Sequence, residues 1–297
     1  MAAWSSEASS MFFALRTNAK NQARSSTSDL DTVAGMRKHG IAAEKSKAVR
    51  DLALVGRALA EIWRNGWENE GETGAQLLNT ADAAIEEAMS LDTELNAGNS
   101  ANVDYYPLWK RGYVDRYRAR SAPGPDGWAA TMTKSLQSYD AALKAKGVTP
   151  HARRSIMVDQ AETLVYAGAA KAAVEIIESV LKEHYHNDRS WHVWAFAFAL
   201  HHAGEPDRAV DRLERVFDQH DTDDLYNNDM RLMLAAAHQD SGSHLRAAEL
   251  IQKFTEVQIS KGEVPWTRAR EIERGAFEPD SALEAAWQMT LTDAGLS

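Results

Sequence analysis

The sequence predicts an all-α chain of stacked antiparallel helix hairpins, an α-solenoid, and three observations carry that prediction. Apolar residues recur at three- and four-residue steps along most of the 297 residues, as they do in amphipathic helices. No sustained two-residue alternation appears and β-branched runs are short, so strand signals are nearly missing. A small residue followed seven positions later by an apolar one returns five times: Ala81 with Ala88, Ser135 with Ala142, Ala173 with Val180, Ala209 with Val216, and Ala247 with Phe254. The first members lie 54, 38, 36 and 38 residues apart. Recurrence on that scale marks a repeat array, in which each unit packs only on its neighbours and the core grows lengthwise.

Residues 1–43 show little apolar periodicity and read as an N-terminal arm, partly disordered or docking. Ser25–Ser28 reads as a loop or cap, and Met11, Phe12, Phe13 and Leu15 are its docking side chains. Residues 44–260 form the repeats. The first helix, 44–66, is drawn by Leu52, Val55, Leu59, Ile62 and Trp63, with Gly66 and Gly71 as stop signals. The second, 74–91, carries Leu77, Leu78, Ala81, Ile85, Ala88 and Met89. Helices at 104–119 and 127–146 follow, separated by a loop at Ser121–Trp128, where Pro123, Gly124, Pro125 and Gly127 cluster and lengthen the first interval.

Thr149 before Pro150 opens a helix at 151–166, a side-chain cap followed by a proline whose missing N–H costs nothing there. The remaining helices fall at 171–184, 190–203, 207–219, 229–241 and 244–259, with Pro206 opening the one after Gly204. Gly168, Gly204 and Gly242 each stand five residues before a small residue of the repeat, where a tight turn requires a positive φ. The small residue itself lets two helix axes approach closely. Ser281 with Glu284 forms a capping box ahead of Leu283, Ala286, Trp287 and Met289, so residues 261–297 read as C-terminal capping helices that seal the array.

Composition narrows the functions available. A net charge of −10 disfavours an extended phosphate-binding surface, and with it a nucleic-acid role. The absence of cysteine excludes disulfides, thiolate metal sites and cysteine nucleophiles. The best secretory candidate, Met11–Leu15, is five residues long and preceded by Glu7, and no apolar run approaches a membrane span. A soluble, cytoplasmic chain without membrane insertion is expected; self-association is left open. Neither a glycine-rich phosphate cradle, a Gly-x-Ser-x-Gly elbow nor a His-Glu-x-x-His pair is present.

Eight of the ten histidines fall between His184 and His244, beside Asp221, Asp223 and Asp224. Imidazole and carboxylate suit zinc or nickel, but His184/His186 and His201/His202 are not spaced three or four apart on one helical face. The acidic stretch has Leu225 where a calcium loop needs an oxygen ligand. No metal and no cofactor is expected.

The stretch Trp194–Val210, Trp-Ala-Phe-Ala-Phe-Ala-Leu-His-His-Ala-Gly-Glu-Pro-Asp-Arg-Ala-Val, resembles the tetratricopeptide repeat family, whose unit is a helix–turn–helix of 34 residues. Ile85, Ala88, Met89, Leu91 and Asp92 also fall where that family repeats its second helix. The resemblance covers about residues 44–260; intervals longer than 34 and a scarcity of closing prolines are departures from the family pattern. It implies a right-handed superhelix whose first helices line a concave surface that receives partner peptides.

Mapped onto this chain, that surface takes Tyr106, Trp109, Lys110, Tyr113, Arg116 and Tyr117 from one helix. The next first helix offers Asp159, Glu162 and Tyr166, and the following one Trp191, Trp194, Phe198 and His201. Aromatic and arginine side chains are common interface anchors, and the mixture of Lys110 and Arg116 with Asp159 and Glu162 suits a peptide of mixed charge. Trp191, Trp194 and Phe198 also recur at core spacing, so groove and core stay open for them. The expected function is a scaffold or adaptor that binds another protein or peptide segment, not an enzyme. The alternative is a metal-dependent hydrolase or other enzyme with its site in the His184–His244 region.

Overall fold

In the computed structural model, the described residues are 11–12, 27–42, 45–64, 71–96, 103–121, 124–182, 190–220 and 225–260. They form eleven α-helices, and no strand occurs among the described residues. The helices are α1 (Thr27–Ala42), α2 (Lys45–Ile62), α3 (Gly71–Leu95), α4 (Tyr105–Ser121), α5 (Gly124–Lys144) and α6 (Pro150–Tyr166). They continue as α7 (Ala170–Lys182), α8 (Ser190–His202), α9 (Pro206–His220), α10 (Leu225–Asp240) and α11 (His244–Ser260). These helices are in line with the all-α class read from the sequence. No helix among the described residues is long and apolar enough to cross a membrane. The expected capping helices beyond residue 260 lie outside the described residues.

Two local expectations change. Residues Thr27–Ala42 are helical, where the sequence reading places only an arm with a loop at its middle. Val33 and Met36 of α1, with Phe12, join a buried core shared with α2, which is enough to hold a helix of weak periodicity in place. The loop expected at Ser121–Trp128 is shorter, because α5 already starts at Gly124. Pro125 and Asp126 fall in its first turn, where proline needs no N–H partner and an acidic group meets the positive helix end.

The chain divides into two compact units, one ending at Gln160 and the other beginning at Ala161, inside α6. In the first, α1 packs on α2, α2 on α3 and α4, α3 on α4, and α4 on α5. The α2 stripe of Leu52, Val55, Leu59, Ile62 and Trp63 is buried, together with Ile85, Tyr113, Tyr117 and Tyr139. Helices α4 and α5 cross where Gly112 faces the Tyr139 ring, and the buried Ser135 hydroxyl donates to the Gly112 carbonyl at 2.6 Å. A side chain larger than serine or glycine at that crossing would force the axes apart. Thr149 caps α6 as its sequence suggests: its hydroxyl accepts the Ala152 N–H at 3.1 Å.

In the second unit α7 packs on α8, α8 on α9 and α10, α9 on α10, and α10 on α11. Three turns repeat one hydrogen-bond pattern. Gly204 N–H donates to the His201 carbonyl, Glu205 N–H to Leu200, and Ala209 N–H to Glu205. The same three bonds recur around Gly168 and Gly242, and the three glycines have φ of 80°, 77° and 82° in chain order. This is the helix-ending arrangement that needs a left-handed residue, which glycine adopts at no steric cost. The small residues of the repeat, Ala81, Ser135, Ala173, Ala209 and Ala247, are all fully buried.

Candidate functional site

Helix α4 organises the polar interior of the first unit. Asp104 caps it: its carboxylate accepts the Tyr106 N–H at 3.0 Å and the Arg50 guanidinium at 2.6 and 3.0 Å, while its own N–H donates to Asp92. Pro107 fits the first turn because the N–H it lacks has no intrahelical acceptor there.

Below the cap, cations alternate with ring faces. The Lys110 ammonium lies 3.0 Å from the Trp109 ring centre and 4.8 Å from that of Tyr106. Arg116 lies 4.9 and 5.2 Å from the Tyr113 and Tyr117 rings, Arg57 of α2 lies 4.8 Å from Tyr113, and Arg120 lies 5.4 Å from Tyr117. Carboxylates from neighbouring helices balance them. Arg57 donates to Glu61 at 2.9 Å, the Tyr113 hydroxyl donates to the same carboxylate at 3.4 Å, and the Trp109 indole donates to Asp159 at 2.5 Å. Arg116 donates to the Asp159 backbone carbonyl at 3.3 Å.

Electrostatics follow from that packing. Burial pushes the Tyr113 hydroxyl well above its ordinary pKa, and the Glu61 charge adds to the shift. Burial raises Tyr106 as well. For Arg57 burial opposes the charge, but Glu61, Tyr113 and Asp159 outweigh it and hold the guanidinium charged. The tyrosines therefore serve as neutral hydrogen-bond donors, neither nucleophiles nor bases at neutral pH.

This corrects one feature of the expected groove. Lys110 and Arg116, read from the sequence as hydrated, are each 1 % exposed, and Tyr106, Tyr113 and Tyr117 are buried with them. Ring faces on their own helix and carboxylates on α2 and α6 supply what water would have supplied. Of the six α4 residues, only Trp109 keeps partial exposure.

The second unit brings together the rest. Buried Glu162 accepts the Trp191 indole N–H at 2.8 Å, repeating on another helix the device that holds Trp109. Trp194 stacks on Phe198 with centres 5.0 Å apart and planes 15° from parallel, and Tyr166 meets Phe198 at 5.5 Å. His201 Nδ1 lies 2.9 Å from Asp240 of α10. Phe198 and Tyr166 are core, whereas Trp191, Trp194 and His201 are half-buried, so this helix divides between the two alternatives.

Sequence reasoning missed Arg57, Glu61 and Arg120. The Arg57–Glu61 spacing of four was the available signal, overshadowed by the apolar stripe around it. Asp159, expected as a ligand-facing acid, instead serves Trp109 and Arg116.

No group of three or more histidine, aspartate or glutamate side chains that could hold a metal ion occurs among the described residues. His184, His186, Asp221, Asp223 and Asp224 lie outside them. Compared with known proteins, the chain matches no protein-family model, no curated protein and no solved structure.

Proposed function

We propose that the chain is a helical-repeat scaffold of the tetratricopeptide kind, a right-handed superhelix of hairpins, that binds a peptide segment of another protein without catalysis or cofactor. A soluble, cytoplasmic setting belongs to the same reading. The repeat part is supported by the turn used three times in one register and by packing of one first helix on the next, α2 on α4 and α8 on α10.

One observation carries the binding part: Trp109, Trp191 and Trp194, all on first helices, are large aromatics that retain exposure, and two of them are pinned by their indole N–H to a carboxylate. A ring already fixed in one orientation loses little entropy when a ligand covers it, and tryptophan is the most common energetic anchor of interfaces. The buried tyrosines and cations behind Trp109 set its position rather than touch a partner.

The test is selection of random 12-residue peptides on the full-length chain, followed by affinity measurement on Trp109→Ala and Trp191→Ala. Enriched peptides should bind one or both variants at least about tenfold more weakly. Thermal melting run alongside separates a lost contact from a lost fold. If no peptide is enriched, or if both folded variants bind as wild type does, the reading is wrong.

A further inference from the structure

Met11 and Phe12 pack in the first unit against helices that come later in the chain. A Cβ built on Gly35 of α1 would meet the Met11 sulfur and terminal methyl at 3.4 Å, so Met11 rests on that helix. The Phe12 ring is buried, with its centre 5.5 Å from the Arg57 guanidinium of α2. Fourteen residues, 13–26, separate Phe12 from the start of α1. The ring thus comes from outside the repeats and lands on one of their first helices.

Three observations separate this ring from an ordinary core residue. Arg57 is the one residue from Asp51 to Ile62 that is not buried, so water reaches the seat at its cation. That cation does not depend on Phe12: it donates to Glu61 at 2.9 Å, and Tyr113 offers it another ring face at 4.8 Å. With Phe12 gone Arg57 keeps both, and no buried charge is stranded. Arg57 also belongs to the cluster that positions Trp109. Asp159, which holds the Trp109 indole, and Tyr106, whose ring meets Trp109 at 5.7 Å, both help to keep the guanidinium charged.

The geometry points to Phe12 as a tethered, displaceable occupant of the partner-facing surface of the first unit, seated on Arg57 and replaced there by an aromatic side chain of the partner. This rests on the peptide-binding reading above and adds to it a state in which the chain fills its own surface. The seat selects an aromatic group because a guanidinium face meets the apolar core that includes Val33 and Met36. An ammonium would be repelled by Arg57. A carboxylate would have to leave water for an apolar site whose cation already has Glu61.

The experiment adds a fluorescein-labelled peptide with the sequence of residues 1–20 to the full chain, wild type and Phe12→Ala, and follows anisotropy. A tethered segment competes at an effective concentration on the order of millimolar, so the peptide should bind Phe12→Ala at least about tenfold more tightly than wild type. A peptide carrying the same Phe12→Ala change should bind that variant at least about tenfold more weakly than the native peptide does. Thermal melting distinguishes an occupant from a core residue. Phe12→Ala should melt within about 5 °C of wild type, because a displaceable contact holds a small share of the fold.

A larger loss, the mark of a core phenylalanine, overturns the assignment. So does a native peptide that binds both proteins alike. If the random-peptide selection succeeds and the native peptide binds neither protein, this inference falls while peptide binding stands. If neither experiment gives binding, both fall. A wild-type dimer that Phe12→Ala converts to monomer in sedimentation would seat the ring in a second copy, and the tethered assignment is overturned.

Discussion

Gly112→Ala tests the closest helix crossing of the first unit. A Cβ built on Gly112 lies 2.8 to 2.9 Å from three atoms of the Tyr139 ring, a separation that real Cβ atoms do not tolerate. Tyr139 is fully buried, so the ring has no solvent side to retreat into. Replacing glycine within a helix otherwise stabilises by up to about 1 kcal/mol. Against this stand overpacking, about 1–3 kcal/mol, and strain on the Ser135 hydrogen bond to the Gly112 carbonyl, about 1 kcal/mol. Packing wins, and the expected net loss is about 1–3 kcal/mol.

Gly35→Ala in α1 is the control, because its Cβ would meet only the flexible end of Met11 at 3.4 Å. That variant should keep or gain stability, by up to about 1 kcal/mol. Urea unfolding followed by far-ultraviolet circular dichroism measures both. In a Gly112→Ala, Tyr139→Leu double variant the loss should be smaller than the sum of the single losses, since the obstructing ring is gone. A Gly112→Ala protein as stable as wild type would refute the close approach of α4 to α5.

Ala209→Leu should destabilise by about 1–3 kcal/mol through overpacking, because Ala209 is fully buried at the hairpin crossing of the second unit; an unchanged urea midpoint would contradict that register. Burial, with the neighbouring Asp104 charge, raises the Asp92 carboxyl above 3.8, against its hydrogen bonds from Asp104 N–H and Asn96 and the nearby Arg50. The folded state thus binds this proton more tightly than the unfolded state, and the group's contribution to stability falls as pH rises through the interval above 3.8. Asp92→Asn keeps an acceptor for the Asp104 N–H and removes the titration, so relative to wild type it should be more stable at pH 7 than at pH 4. Equal differences in melting temperature at the two pH values would show that Asp92 is not shifted.

Periodicity and punctuation made most of the fold legible. Ten of the eleven described helices fall where apolar spacing places them, because each needs a buried stripe and the stripe is local in sequence. Thr149, Gly168, Gly204 and Gly242 announced ends and starts through chemistry confined to one turn. Helix α1 was missed because its buried residues, such as Val33 and Met36, make too thin a stripe and its order comes from packing on α2. The candidate site was legible only in composition. Nothing local distinguishes a hydrated Lys110 from one buried over Trp109. The deciding partners lie far along the chain, as Asp159 does from Trp109 and Glu61 does from Tyr113. The tryptophans were visible from sequence; which of them kept an open face was not.

Two largely buried helices, one in each unit, have opposite compositions. Helix α4 hides Lys110, Asp115 and Arg116 and also carries Arg111, Arg118 and Arg120, so it is a core element that water would dissolve readily. If α4 itself is uncovered, its cations emerge with its rings and oppose the close approach of a second copy of the same helix. Helix α8 holds seven apolar residues in a row, Trp194–Leu200, with no charge to interrupt them. Such a run, once uncovered, seeks another of its kind. Of these two helices, α8 is therefore the one whose exposure favours aggregation.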